Sequence, residues 1–367
     1  MHADRHMAPA PGAPPAGRPT AALRAIWAWA RPLVGVGILV VLLWRLGTGP
    51  ALAGLRLIDH RAVLAALVIG LVSTVCCAWR WTLVAGGLGV RLPLGTAVAD
   101  CYRAVFLNAT LPGGVLGDVH RAVRHGRDVG DLGRGVRTVL WERIAGQAVL
   151  LAMAAVVLAT FPSPVRPVMA VVATVLVAAG LGTALLVRAL PQVRCTLPRV
   201  RRPLPQPRTG TRHPLPEAGR DLPRRWSSRW SRAVRTARDD IRAGLFARRN
   251  WLGVILASAL AVTGHLATFL VAAYTVGSTA APARLIPLTL LALLAMGLPT
   301  NIGGFGPREG VAAWAFSAAG LTAAQGVATA LVYGALVLVA SLPGAAVLLI
   351  RRLRAPGPAA RPDAVGG

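Results

Sequence analysis

The chain has 367 residues, 55% of them hydrophobic, with an excess charge of +27 and a positive mean hydropathy. Several uncharged apolar runs reach the 18 or more residues needed to cross about 30 Å of hydrocarbon, so a soluble fold is excluded. The charge is confined to tails, connections and one central loop, as expected when bilayer contact keeps charge out of spans; it is therefore a poor sign of nucleic acid binding. Every basic residue is Arg. With the abundance of Ala, Gly, Pro and Val this reflects a GC-rich, bacterial genome, and the choice of Arg over Lys does not by itself mark an anion site.

In chain order, residues 1–22 form a Pro- and Ala-rich tail. The first apolar run, Trp27 to Leu46, carries Arg31 and Arg45 at its ends and has no small-residue cleavage site, so it is expected to be retained as a span. Ala62 to Trp79, Thr138 to Phe161, Val168 to Val187, Trp251 to Val276 and Thr322 to Ile350 follow, which makes six expected transmembrane helices. Two further stretches, Leu92 to Val119 and Leu285 to Gly310, are interrupted by Pro and Gly. The expected fold is an all-α integral membrane domain over residues 23–352, in which these two stretches are re-entrant segments of an inverted repeat. Residues 191–250 read as a basic, Arg- and Pro-rich loop, with an amphipathic surface helix from Trp226 to Phe246 as the alternative to a solvated connector; residues 353–367 form a second tail.

Arg-rich connections stay in the cytoplasm, which places both termini, the central loop and Arg121 to Arg137 there. Parity then requires Leu92 to Val119 to enter and leave on the cytoplasmic side and Leu285 to Gly310 on the opposite side.

The broken stretches resemble each other. Leu111-Pro112-Gly113-Gly114 leads through Gly117 to Asp118, and Leu298-Pro299 leads through Gly303-Gly304 and Gly306 to Arg308-Glu309. Gly/Pro-interrupted segments at corresponding places in two halves point to an inverted-repeat transporter with its substrate near the midplane. Non-helical backbone at that depth persists only where protein or a water-filled cavity satisfies it. Close helix packing is the plainer role for a single Gly-Gly; its duplication beside charges favours a site. Gly113 to Asp118 is not a nucleotide loop, because no Lys-Ser or Lys-Thr follows and no strand precedes it.

The ionisable residues Arg103, Asp118, Arg121, Glu142, Arg143, Arg308 and Glu309 lie within or beside apolar sequence, where charge is costly and pairs or lines a cavity. Arg308-Glu309 is followed by 41 uncharged residues before Arg351. The four cysteines, Cys76, Cys77, Cys101 and Cys195, show no metal or redox spacing and read as small apolar fillers. No cofactor is implied.

Three runs in order, Asn108 through Pro112 and Asp118 to Arg121, Leu140-Trp141-Glu142-Arg143 to Gly146, and Ile302 through Pro307-Arg308-Glu309 to Gly310, resemble the transmembrane region of lysylphosphatidylglycerol synthases, the flippase-like family. The resemblance spans about Trp27 to Arg352. It implies a lipid-translocating domain of the cell membrane whose relatives are tied to aminoacylated phosphatidylglycerol or polyprenyl-phosphate sugars. Full-length synthases carry a soluble transferase after the membrane part; only a short polar tail follows Ile350, so aminoacylation is not expected.

The resulting expectation is a non-enzymatic flippase for an anionic phospholipid or polyprenyl-phosphate lipid. Its candidate substrate residues are Asn108, Pro112, Gly113, Gly114, Asp118, Arg121, Glu142, Arg143, Gly303, Gly304, Arg308 and Glu309. Arg121 and Arg308 are expected to compensate phosphate, with Asp118, Glu142 and Glu309 holding them or exchanging protons. The rivals are an accessory subunit that anchors a glycosyltransferase or lipid-modifying partner, and a lipid-phosphate enzyme using Asp118 or Glu142 as base. The last lacks a metal cluster or a nucleophile beside a base in the sequence. A homo-oligomer is compatible with all three.

Overall fold

The computed structural model describes residues 37–38, 40–42, 44–45, 48–111, 114–167, 236–240, 243–244, 250–297 and 306–354. The expected span Val168 to Val187, most of Trp27 to Leu46, nearly all of the basic loop and the tails 1–22 and 355–367 lie outside them. Nine helices run through the described residues: α1 (Gly49–Arg56), α2 (His60–Gly87), α3 (Leu94–Thr110), α4 (Leu116–Val129), α5 (Leu132–Thr160), α6 (Trp251–Thr275), α7 (Pro282–Met296), α8 (Pro307–Ala318) and α9 (Ala323–Arg354). No strand occurs among the described residues.

Local chemistry sets the boundaries. Asp59 caps α2 by accepting from the Ala62 amide at 2.8 Å, and Asp131 caps α5 by accepting from the Arg134 amide at 2.9 Å. Gly130, with φ 73°, ends α4 in the left-handed conformation. Leu111, extended before Pro112, stops α3. Pro307 opens α8 in the first helical position, and the Glu309 carboxylate accepts from the Gly306 amide at 2.6 Å.

Four helices, α2, α5, α6 and the stretch Ala323–Arg351 of α9, are long and apolar enough to cross a bilayer. Between 17% and 44% of their apolar windows is buried within the protein, so the remaining apolar surface faces outward, as bilayer contact requires. Leu64, Val68 and Leu71 on α2 and Ile255, Leu256 and Leu260 on α6 belong to that outer surface. By contrast, α7 has 15 residues and extends about 22 Å at 1.5 Å per residue, short of the bilayer core.

The element order repeats: span, broken pair, span. Helices α2, α3/α4 and α5 form the first set, and α6, α7/α8 and α9 the second. The leading spans α2 and α6 pack together, α3 packs on α9, and α7 packs on α5. Each broken pair is thus held partly by the closing span of the other set. Small residues allow these crossings: Gly264 lies against Ser73, Gly70 against Ala340, and Gly135 against the backbone of Gly126. The apolar core joins the halves, with Ala62, Ala66, Leu150 and Leu158 of the first set packed among Phe269, Leu285, Leu288 and Leu336 of the second.

Candidate functional site

The charges that appear costly in sequence are brought into one network where α2, α4, α5 and α6 meet. Glu142 of α5, 1% exposed, stands between two arginines. Arg80 of α2 donates to Glu142 Oε1 from Nε at 2.9 Å and also from Nη2, and to Ser258 Oγ of α6 at 3.1 Å. Arg121 of α4 donates to Glu142 Oε2 at 2.6 Å, and its guanidinium carbon lies 4.6 Å from the Trp81 ring centre. Gly146 makes room for this arrangement, because a Cβ there would meet the Arg80 guanidinium at 2.8 Å. Glu142 and Gly146, one helical turn apart, thus supply a carboxylate and a cleft for Arg80.

Asp118 extends the network. It lies 3.2 Å from Arg121 and 2.6 Å from Arg143 Nη2, while Asn108 Nδ2 donates to its Oδ2 at 3.0 Å. Asn108 Oδ1 in turn accepts from the Gly117 amide at 2.7 Å. This one amide side chain ties the end of α3 to the start of α4 across the break. Gly117 has no room for a Cβ, which would strike the Ala104 carbonyl oxygen.

A cavity of about 270 Å³ opens where the broken pairs converge. Asn108, Gly114, Arg143 and Gln147 line it from the first set, and His265, Met296, Gly297 and Tyr333 from the second. Leu150, Val262, Leu293 and Val337 make up apolar wall. His265 Nδ1 and the Tyr333 hydroxyl are 2.9 Å apart. Gln147, His265 and Tyr333 each lie within a helix long enough to span. Arg143 faces it with 48% of its side chain exposed.

Arg308 and Glu309 form the counterpart in the second set. Arg308 Nε and Nη2 donate to Glu309 Oε1 at 2.9 and 2.5 Å, and the Arg308 guanidinium carbon is 5.1 Å from the Tyr333 ring centre. Arg308 is 1% exposed.

Of the residues singled out in the sequence, Asn108, Asp118, Arg121, Glu142 and Arg143 meet in one network, and Asn108, Gly114 and Arg143 reach the cavity. Arg121 and Arg308 are held by Glu142 and Glu309, and both are buried rather than lining the cavity where a phosphate was expected to meet them. Pro112, Gly113, Gly303 and Gly304 lie outside the described residues. The sequence reading passed over Arg80, Gln147, His265 and Tyr333. Arg80 carried a usable signal, an isolated cation inside the helix that continues the apolar run past Trp79. Tyr333 and His265 carried little, since polar aromatic residues are common in apolar helices. Among the described residues no group of His, Cys, Asp and Glu is arranged to hold a metal ion.

Apolar spans around a cavity and a buried charge network define an integral membrane protein. The family described as the lysylphosphatidylglycerol synthase TM region matches residues 28–344, and the chain belongs to that family, which makes it a lipid-related membrane protein. No curated protein matches it.

Proposed function

We propose that this chain is a lipid flippase that moves an anionic phospholipid or polyprenyl-phosphate lipid across the cell membrane. The observation that carries this reading is the charge balance at the cavity. Arg80, Arg121 and Arg143 face Glu142 and Asp118, which leaves one surplus positive charge, and Arg143 is the member of the set exposed in the cavity. A headgroup phosphate takes over the Arg143 guanidinium from Asp118, in the bidentate geometry that arginine favours. Asn108, Gln147, His265 and Tyr333 bind its remaining polar groups, and the tails stay in the surrounding bilayer. The broken pairs act as re-entrant segments that bring Gly114 and Gly297 to the cavity, the arrangement of transporters with midplane sites.

This assignment replaces Arg121 and Arg308 by Arg143 as the phosphate ligand, because the former two are buried and held by carboxylates. The network acts by binding and release; no bond of the lipid is made or broken. The test is mass spectrometry of lipid that copurifies with gently extracted protein, combined with translocation of the lipid found in proteoliposomes. An anionic phosphate lipid enriched over the membrane average and moved faster than in protein-free vesicles supports the reading. Lipid of bulk composition, moved no faster than in empty vesicles, contradicts it.

A further inference from the structure

A second group of charges lies away from the cavity, where α3, α4 and α9 meet. Asp100 of α3, 2% exposed, is approached by Arg103 at 2.8 Å, Arg351 at 3.7 Å and Arg124 at 3.8 Å. Arg124 is also 3.6 Å from Asp128, whose side chain is 59% exposed and therefore well screened. Three cations thus share one buried carboxylate. The Arg103 side chain is 4% exposed, and its Nε and Nη2 have no hydrogen-bond partner among the described residues; the contact to Asp100 is close but misaligned. A buried guanidinium so poorly compensated is costly. Arg124 and Arg351, with 31% and 36% of their side chains exposed, present the surplus charge where a ligand can reach it.

The group has a defined position relative to the cavity. Helices α3 and α9 run in opposite directions along a shared seam. Asp100 meets Arg351, Tyr102 meets Gly344, and Asn108 lines the cavity together with Tyr333 and Val337. The seam is tight at Gly344, where a Cβ would strike the Tyr102 carbonyl oxygen. Arg351 ends the apolar stretch of α9, and Asn108 lies about 12 Å along α3 from Asp100, so the arginine group sits at the end of the apolar stretch and the cavity further along the seam. Between them lies a smaller cavity of about 60 Å³ with a mostly apolar lining, to which Ser73, Thr74 and Ser341 also contribute.

We propose that Arg103, Arg124 and Arg351, arranged around Asp100, form a second anion site that binds a phosphate ester at the membrane boundary, where an anionic lipid headgroup is held before it moves along the α3–α9 seam. Arg124 and Arg351 make the contacts, Arg103 supplies positive charge from behind, and Asp100 orients all three. Two planar guanidinium forks suit phosphate oxygens, and three arginines against Asp100 leave charge for a phosphate mono- or diester. The loading role rests on the flippase reading; the binding site does not.

The test is native mass spectrometry of the full chain released from micelles, counting bound phosphatidylglycerol, with phosphatidylcholine and inorganic phosphate as separate arms. Wild type is expected to hold two phosphatidylglycerol molecules, the Arg124→Gln/Arg351→Gln double variant one, with affinity at the lost site reduced at least about tenfold, and Arg143→Gln the other one. A single molecule in wild type, lost in the double variant and kept in Arg143→Gln, supports the boundary site while contradicting the cavity reading. Unchanged stoichiometry and affinity in the double variant, with or without a lower melting temperature, overturns the site. Inorganic phosphate displacing the boundary lipid at equal affinity overturns the lipid assignment in favour of a soluble phosphate ester.

Discussion

At Glu142 a single carboxylate answers two arginines from different helices, Arg80 Nε at 2.9 Å and Arg121 Nη2 at 2.6 Å. Removing its charge strands both in a low-dielectric setting, and breaking such a buried arrangement costs about 3–5 kcal/mol. Glu142→Gln is therefore expected to lower the unfolding midpoint in detergent strongly, while Arg143→Gln, at the exposed end of the network, is expected to lower it little. An unfolding midpoint for Glu142→Gln equal to wild type contradicts the scaffold role of the network. The participants were only partly legible in the sequence. Glu142, Asp118 and Arg121 stood out because charge in apolar sequence is costly. Their division into scaffold and cavity depends on Arg80, which pairs with Glu142 across 62 positions, a distance no local pattern encodes.

Among the elements, the breaks were the most legible feature, since Pro and Gly cannot continue a helix without loss of backbone bonds. Boundaries were less so. Helix α2 runs on to Gly87 beyond the apolar stretch because Arg80 is neutralised by another helix, and α5 starts at Leu132 rather than Thr138 because Asp131 caps it. The crossing of α4 and α5 relies on Gly135, where a Cβ would press on the backbone of Gly126. Gly135→Ala is expected to cost about 1–3 kcal/mol through overpacking and, by moving α4, to loosen Arg121 from Glu142. Melting curves of Gly135→Ala and of a surface control, Gly49→Ala, check this; equal midpoints contradict the close packing. Gly114 adopts φ 60° at the cavity, so Gly114→Leu both strains the backbone and fills the space, and is expected to abolish lipid movement. Full activity there would assign Gly114 to packing alone.

For the molecule as a whole, the repeat of span, broken pair and span, with α3 on α9 and α7 on α5, brings residues of both broken pairs to one cavity. The Arg-rich connections predict that the two broken pairs approach it from opposite faces. In a background with its native cysteines replaced by Ala, cysteine near Arg127 is expected to label from the cytoplasm and cysteine near Ala280 from outside; labelling of both from one side contradicts the two-sided arrangement. The central claim is that Arg143 presents the surplus positive charge to a headgroup phosphate at this cavity. The most direct test is the initial translocation rate of matched anionic and zwitterionic fluorescent lipids in proteoliposomes, for wild type and Arg143→Gln, normalised to folded protein. The account predicts that Arg143→Gln slows the anionic lipid at least about tenfold and the zwitterionic lipid much less; equal rates for wild type and variant, or equal loss for both headgroups, would contradict it.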